Sequence, residues 1–262
     1  MKSPVAPPAP VEIEREGDVL LVRLCRAEKR NALNDAVMHQ IERAFSGVAP
    51  EVRVAILCAE GDHFSAGLDL TELTERSAEQ GLLHSRRWHQ ILERVQFGAV
   101  PVISVLRGAV VGGGLELAAA THIRVAERSA FYSLPEASRG IFVGGGASVR
   151  VPRLIGIART TDMLLTGRVV RAEEGHSIGL SQYLVGDGEG LPTARALAHR
   201  VAENTPMTNY AVMHALPRIA EVGHDPGLLL ESLMAAISQD SPAAKERIRA
   251  FLDKRGKKVG QD

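Results

Sequence analysis

The sequence predicts an α/β fold, with an α/β body followed by a region made of helices. As far as about residue 158, short apolar runs of strand length alternate with segments of helical spacing. Beyond that point, the apolar residues recur almost wholly at helical spacing. In the same region, proline follows a capping residue at three typical helix starts, Thr205-Pro206, Asp225-Pro226 and Ser241-Pro242.

The strands and helices of the body follow from periodicity. Strand patterns occupy about residues 12–16, 19–24, 53–59, 102–106, 123–126 and 130–133. The first helix follows Asn34, a favourable N-cap residue, and places Val37, Met38 and Ile41 on one apolar face. Strands that alternate with helices predict βαβ-type pairing within a sheet. We therefore expect three regions: a disordered Pro-rich lead-in at residues 1–10, an α/β core at 11–200 and a helical region at 201–262.

Composition excludes several functional classes. The 262 residues carry no formal net charge and only 4% are aromatic, so the basic field that nucleic acid requires is missing. No apolar run reaches about 18 residues, which predicts that no segment spans a membrane. The two cysteines and the scattered histidines form no metal-binding pattern, and we expect no metal. With no export signal in the sequence, we expect a cytoplasmic protein.

Two glycine-containing loops carry the most informative pattern. At residues 109–120, three glycines and then Glu116 stand where an apolar strand becomes a helix. Upstream, the strand at 52–59 runs through Gly61 into Phe64-Ser65-Ala66-Gly67-Leu68-Asp69. Glycine lets backbone N–H groups approach a ligand closely, and a helix start favours negative charge. One N–H from each loop would form an oxyanion hole, although such turns also serve helix–strand packing alone.

These loops resemble those of the crotonase (enoyl-CoA hydratase/isomerase) superfamily. Further segments that resemble the family follow in the expected order over about residues 11–256, and they are Glu28–Asn34, Ser133–Glu136, Leu164–Arg168, Ala172–Gly175, Gly179-Leu180 and Phe251–Arg255. The resemblance implies a crotonase-like spiral of ββα units with a C-terminal helical trimerisation region. It also implies a homo-oligomer, either a trimer or a dimer of trimers.

The resemblance further implies an enoyl-CoA hydratase that acts on an acyl-CoA substrate and needs no separate cofactor, because coenzyme A is part of the substrate. The N–H groups of Ala66 and Gly113 would bind the thioester oxygen. Glu116 and Glu136 would position and activate water, and Glu136 would also serve the α-carbon. The implied substrate-binding residues are Lys29, Arg30, Ala32, Ala66, Gly67, Leu68, Asp69, Leu70, Gly112, Gly113, Pro135, Gly144, Phe251 and Lys254.

The sequence leaves several alternatives open. An enoyl-CoA isomerase, or a thioester hydrolase, would use Glu136 mainly, and a non-catalytic acyl-CoA-binding protein would use neither carboxyl. Which glutamate is protonated at rest also stays open. Asp69 is interpreted as a helix-start residue near the oxyanion hole and not as a proton-transfer group. His122 stands where the family usually has aspartate, and we expect a hydrogen-bonded core histidine there.

Overall fold

The computed structural model describes residues 9–72 and 76–253, which form two compact units that divide between Arg200 and Val201. The predicted lead-in at 1–10 lies almost wholly outside the described residues, and Lys254 lies outside them as well. The first unit contains two sheets and the helices that connect their strands. Among the described residues, no helix is long and apolar enough to cross a bilayer.

The strands pair in two sheets, of six and three strands. In chain order they are β1 Val11–Glu16, β2 Val19–Leu24, β3 Val54–Ala59, β4 Val102–Leu106, β5 Ala109–Val111, β6 Ile123–Glu127, β7 Phe131–Ser133, β8 Val170–Arg171 and β9 Tyr183–Val185. The larger sheet has the order β1-β2-β3-β4-β6-β9, and every pair after the β1–β2 hairpin is parallel. The smaller sheet has the order β5-β7-β8.

The helices connect these strands and then form the second unit. They are α1 Asp35–Ser46, α2 Ala78–Gln96, α3 Gly113–Ala119, α4 Ala147–Ile155, α5 Ile157–Thr166, α6 Ala172–Ile178, α7 Gly190–Ala202, α8 Pro206–Tyr210, α9 Leu216–Ile219, α10 His224–Asp240 and α11 Pro242–Leu252. Asn34 caps α1 by accepting a hydrogen bond from the Val37 N–H at 3.0 Å, as the sequence predicts.

Successive turns of the chain repeat one pattern. β4 enters the larger sheet, β5 enters the smaller sheet and α3 follows; β6 and β7 then repeat the pair of sheet positions before α4. Strands β3 and β4 are completely buried, because helices cover the sheet and the strands carry apolar residues on both faces. The repeat places the ends of β5 and β7 side by side, where α3 and the Glu136 turn begin.

Three details differ from the periodicity analysis. The short strands β8 and β9 lie in the stretch that was predicted to be almost wholly helical. Pairing with β7 and β6 fixes them, and two or three residues are too few to produce a strand period. The predicted cap at Asp225 is wrong because α10 begins at His224, after Gly223, whereas the caps at Thr205 and Ser241 are confirmed.

Candidate active site

Two isolated bridges bring the glycine-containing loops together. Ser65 pairs with Val110: the Ser65 N–H donates to the Ala109 carbonyl at 2.9 Å, and the Val111 N–H donates to the Ser65 carbonyl at 3.1 Å. The upstream loop thus extends the smaller sheet beside β5. A second bridge joins Leu68 to Leu33, so backbone hydrogen bonds fix this loop to two different segments of the chain.

The second bridge determines where the Leu68 N–H points. Leu33 donates to the Gly67 carbonyl at 2.7 Å and accepts from the Asp69 N–H at 2.8 Å. In a parallel bridge of this kind, the intervening residue turns its own N–H to the opposite side. On that side lies Gly113, since a Cβ atom built on Gly113 would be 3.6 Å from the Leu68 nitrogen. Within residues 9–72 and 76–253, neither the Leu68 nor the Gly113 N–H donates to a carbonyl.

The predicted oxyanion role of the Ala66 N–H is wrong. This N–H donates to the Arg30 carbonyl at 2.9 Å, so it is not available to a ligand. Arg30 and Asn31 adopt left-handed backbone conformations with φ of 51° and 53°, which turns the Arg30 carbonyl toward Ala66. The Leu68 N–H, two residues further on, has no carbonyl partner among the described residues. Ala66 still lines the cavity described next.

A cavity of about 390 Å³ opens in front of the two free N–H groups. Its lining includes nine of the residues predicted for the site, namely Ala66, Gly67, Leu68, Leu70, Gly112, Gly113, Glu116, Glu136 and Gly144. Helix α2 and the loop after Glu136 form the remaining walls. The volume falls within the range of small-molecule sites.

Glu116 lies in the first turn of α3 with only 4% of its surface exposed. Its Oε1 accepts hydrogen bonds from the Gly145 N–H at 2.8 Å and the Ala147 N–H at 3.1 Å. Burial raises the pKa of Glu116, while these two N–H groups and the charge of Arg150 act in the opposite direction. The hydrogen bonds fix one carboxyl oxygen and leave Oε2 without a described partner.

Glu136 begins a short 3₁₀ turn, Glu136–Arg139, directly after β7 and Pro135. Its side chain faces the start of α3, because a Cβ atom on Gly112 would lie 2.6 Å from Glu136 Oε1. Oε2 is buried and has no hydrogen-bond partner among the described residues. Burial raises the pKa of Glu136, and the negative charge of Glu116 raises it further. Both glutamates therefore face one cavity and are electrostatically coupled.

Asp69 belongs to an ion-pair cluster beside the cavity. Its Oδ2 accepts from Arg26 at 2.8 Å and from Lys29 at 3.2 Å, and its Oδ1 accepts from the Thr71 hydroxyl at 2.6 Å. The Thr71 hydrogen bond and these two cations hold the pKa of Asp69 far below its usual range. Asp69 is therefore a permanent anion that fixes the turn into residues 70–72, consistent with its interpretation as a helix-start residue.

The other predicted binding residues lie outside the cavity lining. Lys29, Arg30 and Ala32 form the turn before α1, and Pro135 immediately precedes the Glu136 turn. Phe251 lies in α11 of the second unit. His122 is half-buried and hydrogen-bonded: its Nδ1 accepts from the Val102 N–H and its Nε2 donates to the Gln96 carbonyl, both at 2.9 Å.

Sequence reasoning missed several side chains of the cavity wall. They are Arg76, His84, Ser85, Trp88, Arg139 and Phe142. The amphipathic pattern of α2 does not distinguish a core-facing residue from a cavity-facing one. Among the described residues, no group of histidine, cysteine, aspartate and glutamate side chains has the geometry of a metal site.

A family model described as "Enoyl-CoA hydratase/isomerase" matches residues 14–261. The chain belongs to this family. It is 31% identical to the enoyl-CoA hydratase EchA19 of Mycobacterium tuberculosis, over 93% of both chains. It is also 31% identical to the 2,3-dehydroadipyl-CoA hydratase of Escherichia coli, over 93% of this chain and 95% of the other.

Solved structures support the same membership. A crystal structure from Rhodopseudomonas palustris, with a provisional enoyl-CoA hydratase assignment, has a TM-score of 0.93 and 54% sequence identity. The alignment covers 97% of this chain and 98% of that one. The Bacillus anthracis enoyl-CoA hydratase has a TM-score of 0.88 at 27% identity, covering 97% of this chain and all of the other. The predicted crotonase-like α/β fold with C-terminal helices is therefore confirmed.

Proposed function

We propose that this member of the family is an enoyl-CoA hydratase, which adds water across the α,β double bond of an enoyl-CoA thioester to give a 3-hydroxyacyl-CoA. One observation carries the proposal: two unpaired backbone N–H groups and two buried carboxyl groups face the same cavity. This is the set of groups that hydration requires, since the thioester oxygen must gain negative charge while a proton and a hydroxyl are delivered nearby.

The thioester oxygen would accept hydrogen bonds from the Leu68 and Gly113 N–H groups. Because both donors belong to backbone fixed by bridges and a helix start, they need no rearrangement when charge develops on the oxygen. The coenzyme A portion would pass along residues 66–70 toward the Lys29–Ala32 turn. Phe251 and Lys254 are carried over from the family resemblance alone as coenzyme A contacts.

The hydrogen bonds assign different roles to the two carboxyl groups. Burial raises the pKa of both carboxyls, but Glu116 accepts two backbone N–H bonds on one oxygen, which opposes the increase and assigns it the role of general base. Glu136 is buried, has an unpartnered oxygen and lies near a second carboxyl, which together favour its protonated form and make it the general acid. Pairs of carboxyls whose surroundings separate their proton affinities commonly divide the two roles in this way.

In the resulting reaction, Glu116 accepts a proton from water while the water oxygen bonds to the β-carbon. The electron pair of the double bond moves toward the thioester carbonyl, whose oxygen is stabilised by the two N–H groups. Glu136 then delivers its proton to the α-carbon. The product is the 3-hydroxyacyl thioester, and proton exchange with solvent restores the two carboxyl groups.

The test uses crotonyl-CoA and follows the loss of the conjugated enoyl-thioester absorbance. We expect Glu116→Gln and Glu136→Gln each to lower kcat by about 100-fold or more, because each removes one proton-transfer group while retaining its shape. Glu173→Gln, an exposed carboxyl paired with Arg128, is the matched control and should retain the wild-type rate. Absence of turnover on every enoyl chain length, despite acyl-CoA binding, would favour a non-catalytic binding protein instead.

An isomerase or a thioester hydrolase that uses mainly Glu136 is the second candidate. The observation in its favour is that Glu136 Oε2 has no described partner, whereas one oxygen of Glu116 is fixed by two N–H groups. Migration of the double bond in a 3-enoyl-CoA, or release of free coenzyme A, that survives Glu116→Gln would support this candidate over the hydratase.

We also propose that the chain forms a trimer or a dimer of trimers. Helix α10 supports this, because Leu228, Leu229 and Leu233 on it are 50%, 62% and 50% exposed in the single chain. Large exposed apolar surfaces commonly mark contacts between subunits. Sedimentation of the purified protein tests the assembly, and a monomer at micromolar concentration would contradict it. The cytoplasmic location stays a prediction.

A further inference from the structure

The wall of the cavity carries an uneven distribution of charge. Apart from Glu116 and Glu136, its ionisable side chains are Arg76, His84 and Arg139. Both arginines are exposed, and neither forms an ion pair or hydrogen bond with any residue the structure describes. Two exposed guanidinium groups at the wall of the cavity, each without a hydrogen-bond partner among the described residues, can offer their donors to an anionic group of a ligand.

Arg139 lies on the Glu136 side of this cavity. It ends the 3₁₀ turn that begins with Glu136, and its positive charge opposes the increase in the pKa of that carboxyl. The next residues, Ile141 and Phe142, also line the cavity and are 46% and 71% exposed. The arginine is thus at an open rim and keeps its donors available.

Arg76 and His84 lie on the α2 side. The charge of Arg76 acts on Asp35, whose Oδ1 accepts from His84 Nε2 at 2.9 Å and from Trp88 Nε1 at 3.1 Å. Asp35 therefore fixes the imidazole and indole rings that form this wall. Since Nε2 is the donor to Asp35, Nδ1 is the nitrogen left for a ligand.

A purely hydrocarbon acyl chain does not match this wall. Such a chain would partly desolvate two guanidinium groups without giving them an acceptor, which opposes binding. A carboxylate at the far end of the chain would offer them charge-assisted and bidentate hydrogen bonds. Coenzyme A phosphates are the other anions in the substrate, but the cationic turn around Lys29 lies beside a different part of the cavity, at Asp69 and Thr71.

We propose that the preferred substrate is an enoyl-CoA whose acyl chain ends in a carboxylate, held by Arg76 and Arg139. This inference rests on the proposed hydratase function and specifies its substrate class. The cavity volume of about 390 Å³ lies within the range of small-molecule sites.

The test compares two substrates of equal chain length, trans-2-hexenedioyl-CoA and trans-2-hexenoyl-CoA, which differ only in the terminal group. We expect the wild-type protein to have at least a tenfold higher kcat/KM for the dicarboxylic substrate. Arg76→Met and Arg139→Met should each reduce this preference by about tenfold, because Met retains much of the side-chain length without the charge. Arg128→Met is the matched control, since Arg128 forms an exposed ion pair with Glu173 outside the cavity.

The outcomes separate this inference from the function on which it rests. Turnover of the neutral substrate with no preference for the dicarboxylic one would overturn the inference and leave the hydratase function intact. Equal losses on both substrates in Arg76→Met and Arg139→Met would also overturn it, since the arginines would then hold coenzyme A or support Glu136. Turnover of neither substrate would refute the hydratase function and the inference together.

Discussion

Gly113 offers a direct test of the backbone donors, because an alanine at this position changes the site without straining the fold. Gly113 is the first residue of α3 and is not in a left-handed conformation. An added Cβ would meet Leu33 Cδ1, the Leu68 nitrogen and Trp88 Cζ3, each at 3.6 Å, which is ordinary van der Waals contact. Replacing glycine by alanine in a compatible backbone commonly stabilises a protein by about 0.4–1 kcal/mol.

The same methyl group would occupy the space that the thioester oxygen needs. An oxygen bound by both donors must lie about 2.9 Å from the Leu68 and Gly113 nitrogens. The added Cβ would be bonded to the Cα of residue 113 and would lie 3.6 Å from the Leu68 nitrogen. It would therefore leave too little room for an oxygen between the two N–H groups. We expect a loss comparable to removal of one oxyanion donor, about 100- to 1000-fold in kcat or roughly 3–4 kcal/mol of transition-state stabilisation.

The assay measures kcat and KM on crotonyl-CoA together with the thermal midpoint of unfolding. The expected result is a large decrease in kcat, a smaller change in KM and an unchanged or higher midpoint. Gly227→Ala is the matched control, because its Cβ would also make only ordinary contacts, at 3.6–3.7 Å, and lies in α10. A Gly113→Ala protein whose kcat is within threefold of wild type would refute the assignment of these donors.

Two further predictions concern protonation. The rate of hydration should follow a bell-shaped pH profile. The rate should decrease as the pH falls through the raised pKa of Glu116, because this carboxyl must be ionised. It should also decrease as the pH rises through the raised pKa of Glu136, because this carboxyl must be protonated. The residual activity of Glu136→Gln should lose the alkaline limb, and an unchanged profile would contradict the assigned roles. Because the pKa of Asp69 is lowered by folding, its contribution to stability is present above its unfolded value of about 4 and is lost as pH falls below it. When the pH is lowered from about 4 to about 2, the free energy of unfolding should therefore decrease less in Asp69→Asn than in the wild-type protein, by on the order of 1 kcal/mol. Denaturant titrations at the two pH values measure this difference. Equal decreases in the two proteins would contradict the ion-pair interpretation.

The fold was largely predictable because its elements are local. Buried parallel strands such as β3 are continuous apolar runs, and Asn34 caps α1 through its own side chain. The failures also have local causes. β8 and β9 are short strands fixed by pairing with distant segments, and Asp225 lies in the first turn of α10 and not before it.

The position of the proposed upstream oxyanion donor was not predictable from the sequence, because two long-range backbone contacts determine it. The Arg30 carbonyl takes the Ala66 N–H, and the Leu33 bridge rotates the Leu68 N–H toward Gly113. Neither contact leaves a signal in the composition of the loop. The two glutamates, in contrast, were predictable as a pair because each lies in a segment that resembles the family, Glu116 after three glycines and Glu136 after Pro135. The structure places each of them in the first turn after a short strand of the smaller sheet.

The glycines of the site have a physical role that differs from the one their pattern first suggests. Glycine-rich turns are commonly explained by the approach of a ligand to the backbone, but here only Gly113 of the three consecutive glycines presents its N–H to the cavity without a carbonyl partner.

Gly112 and Gly145 are required because the two carboxyls fill the space of a side chain: a Cβ atom on Gly112 would lie 2.6 Å from Glu136 Oε1, and one on Gly145 would overlap Glu116 Oε2. Gly114 serves packing, since its Cβ would come 2.6 Å from the Ser65 carbonyl oxygen. Each carboxyl is thus positioned by a glycine from a different element, so that α3, the Glu136 turn and the loop before α4 must form together for the site to exist.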